Sequence, residues 1–119
     1  MVSPKSQKSQ PVETVLANVA KRLGAAKAVR GGHIVLHLKG AGGGVYHLDC
    51  SAGPPKVVKG TPRAAPIIEV IGDAKRILAI VEGKKDGRRQ FLAGGIRVRG
   101  DLRYLSDLAL ELGIIKEPF

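Results

Sequence analysis

Apolar residues at the start of the chain follow a helical period. They recur every three or four positions, at Val12, Val15, Leu16, Val19, Ala20 and Leu23. This spacing places them on one face of an amphipathic helix. Pro11 suits the first helical turn and Gly24 suits the end. The pattern predicts a helix near residues 12–23.

A different period follows. Residues 33–38 and 45–50 alternate between apolar and polar side chains, as in half-buried strands, and the glycine-rich residues 40–44 between them predict a hairpin. A five-residue loop pairs Leu36 with Leu48 and Leu38 with Tyr46.

Two further segments in the middle of the chain also have the pattern of strands. Residues 56–59 follow two prolines, which predicts a strand at a sheet edge. Residues 66–71 are nearly all apolar, which predicts a strand that is buried on both sides.

The C-terminal half alternates between helical and strand patterns. Asp73 and Asp101 each precede an apolar stripe with helical spacing, so they are expected to cap helices near residues 73–82 and 101–112. Between them lie a polar loop, residues 84–90, and a strand near residues 95–99. In that strand Ile96 and Val98 point inward, while the arginines point outward.

Length and composition restrict the classes of protein. The chain has 119 residues, enough for one domain, which we place at residues 11–119 after a disordered basic tail at residues 1–10. Aromatic residues make up 3%, so the core is aliphatic. No stretch has the pattern of a signal peptide or a membrane span. One cysteine, Cys50, fits a reducing, cytoplasmic setting and is expected to be a buried small hydrophobe.

The charge is unusual for so short a chain. Twenty Lys and Arg against ten Asp and Glu give a net charge of +10. Such a charge attracts polyanions, either nucleic acid or an anionic membrane surface, and it also keeps a protein soluble. Composition alone leaves these three alternatives open. With only four aromatic side chains and no binding motif, no specific nucleic-acid partner is expected.

The polar residues show no catalytic motif, and we expect neither an enzyme nor a cofactor. In the hairpin register above, His37 and His47 are cross-strand neighbours with Asp49 nearby, and two imidazoles with a carboxylate can bind zinc. A pair of exposed imidazoles on the outer face of the sheet is the more ordinary interpretation. The sequence therefore predicts no metal site.

The second half of the chain resembles the sterol carrier protein type two (SCP-2) domain family. The elements that carry the resemblance run in order from the apolar strand at residues 68–71 to the closing helix. They are the helix at residues 74–81, Gly83-Lys84, Phe91-Leu92-Ala93-Gly94, Ile96-Arg97-Val98-Arg99 and Gly100-Asp101-Leu102. Residues 12–60 resemble the family only in the order of elements.

The resemblance implies an α/β chain of the α+β type, with a mostly antiparallel five-stranded sheet covered on one face by helices. Between the layers it implies a tunnel that binds an apolar lipid such as a fatty acid, an acyl thioester, a sterol or a phospholipid, without catalysis. The alternatives are a basic nucleic-acid-binding module and an accessory or dimerisation domain of an enzyme system.

The same resemblance gives the candidate site residues. The expected lining residues are Leu78, Val81, Phe91, Leu92, Ile96, Val98, Leu105, Leu108 and Leu112. The basic side chains expected to dock on anionic headgroups are Lys84, Lys85, Arg88 and Arg89.

Overall fold

The described residues of the computed structural model, 12–119, form four helices and five strands. In chain order they are α1 (Val12–Ala25), β1 (His33–Lys39), β2 (Gly44–Asp49), β3 (Lys56–Lys59), β4 (Ile68–Asp73), α2 (Ala74–Val81), α3 (Gly87–Leu92), β5 (Ile96–Gly100) and α4 (Leu102–Glu111). The expected basic tail, residues 1–10, lies outside the described residues.

The five strands form one sheet in the order β3-β2-β1-β4-β5. Only the β1–β4 pair is parallel, and the other three neighbouring pairs are antiparallel. The predicted fold, a mostly antiparallel five-stranded sheet with helices, is confirmed. Because β4 lies beyond β1, the connection at residues 60–67 has to cross β2 and β1 to reach it.

The predicted register of the hairpin was wrong by two residues. Leu36 lies opposite Tyr46, and Ile34 lies opposite Leu48. The strands continue closer to the turn than the alternation suggested, since the Gly43 amide donates a hydrogen bond to the Gly40 carbonyl at 3.1 Å. A shift of two keeps every side chain on its face, so the predicted apolar face survives the error.

One face of the sheet packs against the helices. Ile34, Leu36 and Leu48 are buried there together with Leu16 of α1 and Ile77 of α2. The opposite face, which we call the outer face, bears the alternate residues of each strand. It includes Arg97 and Arg99, as predicted from their alternation with Ile96 and Val98.

Two predicted segments differ from the structure. Strand β4 begins at Ile68 rather than residue 66, and it is fully buried only on the helix side, where Ile68 and Val70 point. Residues 87–92 form α3 instead of part of a loop and a turn. This short helix starts at Asp86, whose carboxylate accepts hydrogen bonds from the Arg88 and Arg89 amides.

The other two aspartate caps are where the sequence placed them. The Asp73 side chain accepts from the Arg76 amide at 3.1 Å, and the Asp101 side chain accepts from the Tyr104 amide at 2.9 Å. These bonds satisfy amides that have no partner within the first helical turn. They therefore fix the starts of α2 and α4, the two helices that follow strands directly.

Arg22 connects three helices at one end of the helical layer. Its guanidinium donates to the Val81 carbonyl at the end of α2 and to the Leu112 carbonyl at the end of α4. A cation at the carboxyl ends of two helices compensates carbonyl groups that lack intrahelical partners. This contact fixes α1 against both.

We expect Gly100→Ala to destabilise the fold far more than Gly94→Ala. Both glycines have positive φ, so either substitution places alanine in a conformation that costs about 1–2 kcal/mol. Only at Gly100 would the new Cβ also lie 2.1 Å from a backbone oxygen, that of Ile67, whereas nothing lies within 4 Å at Gly94. Urea unfolding should show a loss at least about 2 kcal/mol larger for Gly100→Ala. Equal losses would contradict the close approach of β5 to the residue before β4.

We also expect Arg22→Met to lower the free energy of unfolding by about 1 kcal/mol, because both helix-terminal carbonyls lose a charged donor. Lys21→Met is the matched control, since Lys21 is exposed on the same helix and makes no hydrogen bond to another described residue. Urea unfolding measures both variants. The same loss in Lys21→Met would show that charge, rather than the two carbonyl contacts, accounts for the effect.

Candidate functional site

A cavity of about 100 Å³ lies between the sheet and the helices, and its lining is entirely apolar. Three helices and the sheet supply most of that lining. The side chains that line it are Leu16, Val19 and Leu23 of α1, Ile34, Leu36, Leu48, Val70 and Ile96 of the sheet, Ile77, Ile80 and Val81 of α2, Leu105, Leu108 and Ala109 of α4, and Leu112, Ile114 and Phe119 after it. An apolar cavity of this kind excludes water and favours hydrocarbon.

The structure brings five of the nine expected lining residues to this cavity: Val81, Ile96, Leu105, Leu108 and Leu112. The other four lie elsewhere. Leu78, Phe91 and Val98 are partly buried against the core, and Leu92 is 62% exposed. Leu92 is the last residue of α3 and is exposed to solvent there, although the resemblance implied that it lines the cavity.

Sequence reasoning missed the contributions of α1 and of the C-terminal segment, residues 114–119. The signal for α1 was present, because its predicted apolar stripe contains all three of its lining residues. No sequence pattern identified Phe119 as a lining residue, because its position depends on how the chain folds back after α4.

The C-terminal segment closes one side of the cavity. Ile115 is buried, and Phe119 packs edge-on against Phe91 with ring centroids 5.2 Å apart. The Phe119 amide donates to the Ser106 Oγ at 3.0 Å, and Arg88 Nε of α3 donates to the Pro118 carbonyl at 2.8 Å. Few hydrogen bonds therefore hold the C-terminal segment in place beside the cavity.

Polar contacts position α4, which forms much of the cavity wall. The Glu111 carboxylate accepts from the Lys27 and Ala28 amides, and these hydrogen bonds lower the pKa of Glu111. At the other end of α4, the Tyr104 hydroxyl accepts from the Arg30 amide and donates to the Arg30 carbonyl. Both ends of the helix are thus fastened to the chain that leaves α1.

The size of the cavity limits what it can hold without movement. A cavity of about 150 Å³ lined by similar side chains binds benzene. The cavity here is about 100 Å³, so a longer hydrocarbon chain needs some lining side chains to move aside. The C-terminal segment, residues 114–119, is the part of the wall for which hydrogen bonds to the helices are few.

The basic residues expected to dock on a membrane surround α3. Lys84, Lys85 and Arg89 are exposed, and Lys84 lies 3.6 Å from the Glu82 carboxylate. Arg88 also binds the C-terminal segment, with its guanidinium 3.9 Å from Glu117 as well as bonded to Pro118. Exposed Leu92 lies at the end of the same helix. No helix among residues 12–119 is long and apolar enough to cross a bilayer.

The histidines do not pair as the predicted register suggested. His37 lies opposite Val45 and contacts the Glu69 carboxylate at 2.9 Å, while His47 lies opposite Val35. The residue that approaches His47 and Asp49 is His33, which the sequence analysis did not include.

The comparisons with known proteins agree with this architecture. The sequence model of the SCP-2 sterol transfer family matches residues 12–110. No curated protein sequence matches the chain.

Several solved structures are similar. Sterol Carrier Protein 2 from Yarrowia lipolytica, in the apo form, has 26% identity and a TM-score of 0.59, with 90% of this chain and 85% of that chain covered. Palmitated SCP2L2 from Aedes aegypti has 25% identity and a TM-score of 0.68, with coverage of 87% and 95%.

The same fold occurs inside a longer protein. The stereoselective inverting sec-alkylsulfatase from Pseudomonas sp. has 17% identity and a TM-score of 0.69 over 92% of this chain and 17% of that chain. At that identity the likeness concerns the fold alone. The family match, in contrast, extends from α1 to within α4. This chain belongs to the SCP-2 sterol transfer family.

Proposed function

We propose that the protein holds the hydrocarbon part of an apolar lipid in the cavity between sheet and helices, and exchanges that lipid with anionic membranes without catalysing a reaction. The apolar cavity is the observation that carries the proposal. Membership of the family supports it, and so does the structure of palmitated SCP2L2 from Aedes aegypti.

The energetics of transfer favour such a ligand. Each CH₂ group that leaves water contributes about 0.8 kcal/mol. A saturated chain of ordinary length therefore gains enough to offset displacement of the lining side chains. Because the lining offers no polar group, binding follows chain length and shape rather than the headgroup.

We place membrane docking on α3 and the residues before it. Exposed Leu92 can insert among acyl chains while Lys84, Lys85 and Arg89 meet anionic headgroups, a combination typical of interfacial helices. Arg88 links this surface to the cavity, because the same side chain holds the C-terminal segment. Headgroups that compete for Arg88 would weaken the closed position of that segment.

We place this exchange in the cytoplasm. The chain has one cysteine, Cys50, which is unpaired and partly buried, and burial raises the pKa of its thiol. A protonated, shielded thiol suits a reducing compartment and gives no reason to propose nucleophilic chemistry.

Leu105→Trp should weaken binding of a fluorescent fatty acid at least tenfold, because the larger ring fills the cavity that Leu105 lines. Leu78→Trp is the matched control, a leucine of α2 that packs against the core without lining the cavity. We expect its dissociation constant to stay within about threefold of the parent. Titration with displacement by unlabelled palmitate measures both, and circular dichroism checks folding. A folded Leu105→Trp variant that binds like the parent would refute the cavity as the binding site.

Replacing Lys84, Lys85 and Arg89 by Glu should weaken binding to vesicles that contain phosphatidylserine. Each cation near an anionic surface contributes about 1 kcal/mol, so three account for up to roughly a hundredfold. Arg88 is kept because it holds the C-terminal segment. Fatty-acid affinity in solution should change little.

The control for that experiment reverses Lys39, Arg97 and Arg99, three exposed cations around the outer face, so that the two variants have the same net charge. Vesicle cosedimentation at two salt concentrations should show a small loss for the control and a large one for the α3 variant. Equal losses would mean that net charge alone drives binding. Submicromolar DNA binding at physiological salt would instead favour the nucleic-acid alternative.

A further inference from the structure

The outer face of the sheet carries all three histidines of the chain, and none of them lines the cavity. His33 and His37 are alternate residues of β1, so both point away from the helices, and His47 of β2 shares that face. His47 is only 5% exposed, although none of the helices within residues 12–119 covers this side. The crossing connection at residues 60–67 accounts for its burial, because the Gly60 carbonyl contacts the His47 ring.

Two of these histidines converge on a carboxylate. One potential ligand atom from each of His33, His47 and Asp49 lies within 4.8 Å of one from each of the other two. The His33 and Asp49 side chains approach to 3.6 Å, and the two imidazole rings have centroids 5.2 Å apart. The His33 Nδ1 is buried and has no hydrogen-bond partner in the described part of the chain.

Hydrogen bonds outside the cluster orient two of its members. His47 Nδ1 lies 2.7 Å from the Gly60 carbonyl oxygen, which can only accept, so Nδ1 carries a proton and Nε2 is the nitrogen that the neutral imidazole offers to a metal. The Asp49 carboxylate accepts from the Ser51 amide and hydroxyl, and these bonds lower the pKa of Asp49. A backbone carbonyl on one imidazole and donors on the carboxylate are the usual outer contacts of metal ligands.

We propose that His33, His47 and Asp49 form a binding site for a divalent transition metal, with Zn²⁺ as the metal that suits the donor set best. Imidazole nitrogen and carboxylate oxygen are ordinary zinc ligands, and three protein ligands leave a fourth position for water. The site is separate from the lipid cavity and lies on the opposite face of the sheet.

The required adjustment is small. Zinc–ligand bonds of about 2.0–2.1 Å in a tetrahedral arrangement put the donor atoms roughly 3.3 Å apart, so the widest pair has to approach by about 1.5 Å. The side chains of His33 and Asp49 are 15% and 30% exposed and can rotate. Lys56 lies opposite Asp49 on β3 and adds a competing positive charge, so we expect micromolar rather than nanomolar affinity.

His37 provides a matched control within the same strand. It lies four residues from His33 and on the same face, but its Nε2 already contacts the Glu69 carboxylate at 2.9 Å. His37 is therefore a partly buried histidine that has a carboxylate beside it, as His33 does, but lacks the second imidazole of the proposed site. If zinc binds to the histidines of the chain without needing the proposed site, replacing His37 will weaken binding as much as replacing His33.

Calorimetric titration of the untagged chain with ZnCl₂ tests the site. We expect one zinc per chain, at least a tenfold loss of affinity in His33→Gln and in Asp49→Asn, and less than a twofold change in His37→Gln. Ser51→Ala should weaken binding by up to about tenfold through the carboxylate it orients. Titration with Co²⁺ should give visible absorption bands that excess Zn²⁺ removes.

Three results would overturn the proposal: no saturable zinc binding, affinity that survives in both His33→Gln and Asp49→Asn, or an equal loss in His37→Gln. His33 and Asp49 are partly exposed, so their amide variants keep the test valid even where a substitution of buried His47 unfolds the chain. Circular dichroism establishes that each variant compared is folded.

Discussion

The apolar contact between the helices and one face of the sheet holds this protein together and also surrounds the cavity that we propose as its binding site. With aromatic residues at 3% of the chain, branched aliphatic side chains fill the interior, and here they leave about 100 Å³ empty. An empty cavity costs about 24 cal/mol per Å³, or roughly 2 kcal/mol here. That is small beside the usual stability of a domain, about 5–15 kcal/mol, so the fold tolerates the empty space. A bound hydrocarbon chain restores the missing contacts.

Much of the fold could be predicted because periodicity and capping are local properties. Asp73 and Asp101 cap helices where the sequence placed them, and the alternation in the hairpin identified the correct buried face. The register of the hairpin depends on the geometry of its glycine-rich turn. Alternation of apolar and polar residues does not indicate that geometry, and the predicted register was therefore wrong by two residues. Helix α3 has six residues, too few to show a period, and depends on Asp86 and on its packing against the core.

The lining residues of the cavity could be predicted only where they follow from the apolar faces of the predicted helices and strands. Leu105 and Leu108 line the cavity because they lie on the apolar face of α4, which the sequence shows. The positions of the Phe119 and Leu92 side chains depend on the path of the chain after α4 and within α3. No local sequence pattern indicates either path. His33 was missed for the same reason as the register, since shifting the hairpin by two residues places His33 opposite Asp49 and moves His37 away from His47.

The two kinds of contact around the cavity have different consequences for movement. Apolar contacts inside it are non-directional, so side chains can shift with little loss as long as they stay buried. Hydrogen bonds at the edge of the cavity, donated by Arg22 and Arg88 and accepted by Glu111, are directional and define one closed arrangement. Lipid uptake therefore requires that these contacts separate while the sheet stays intact. Because Arg88 lies in the basic region next to exposed Leu92, the proposed docking on an anionic surface would first affect the contact between Arg88 and the C-terminal segment.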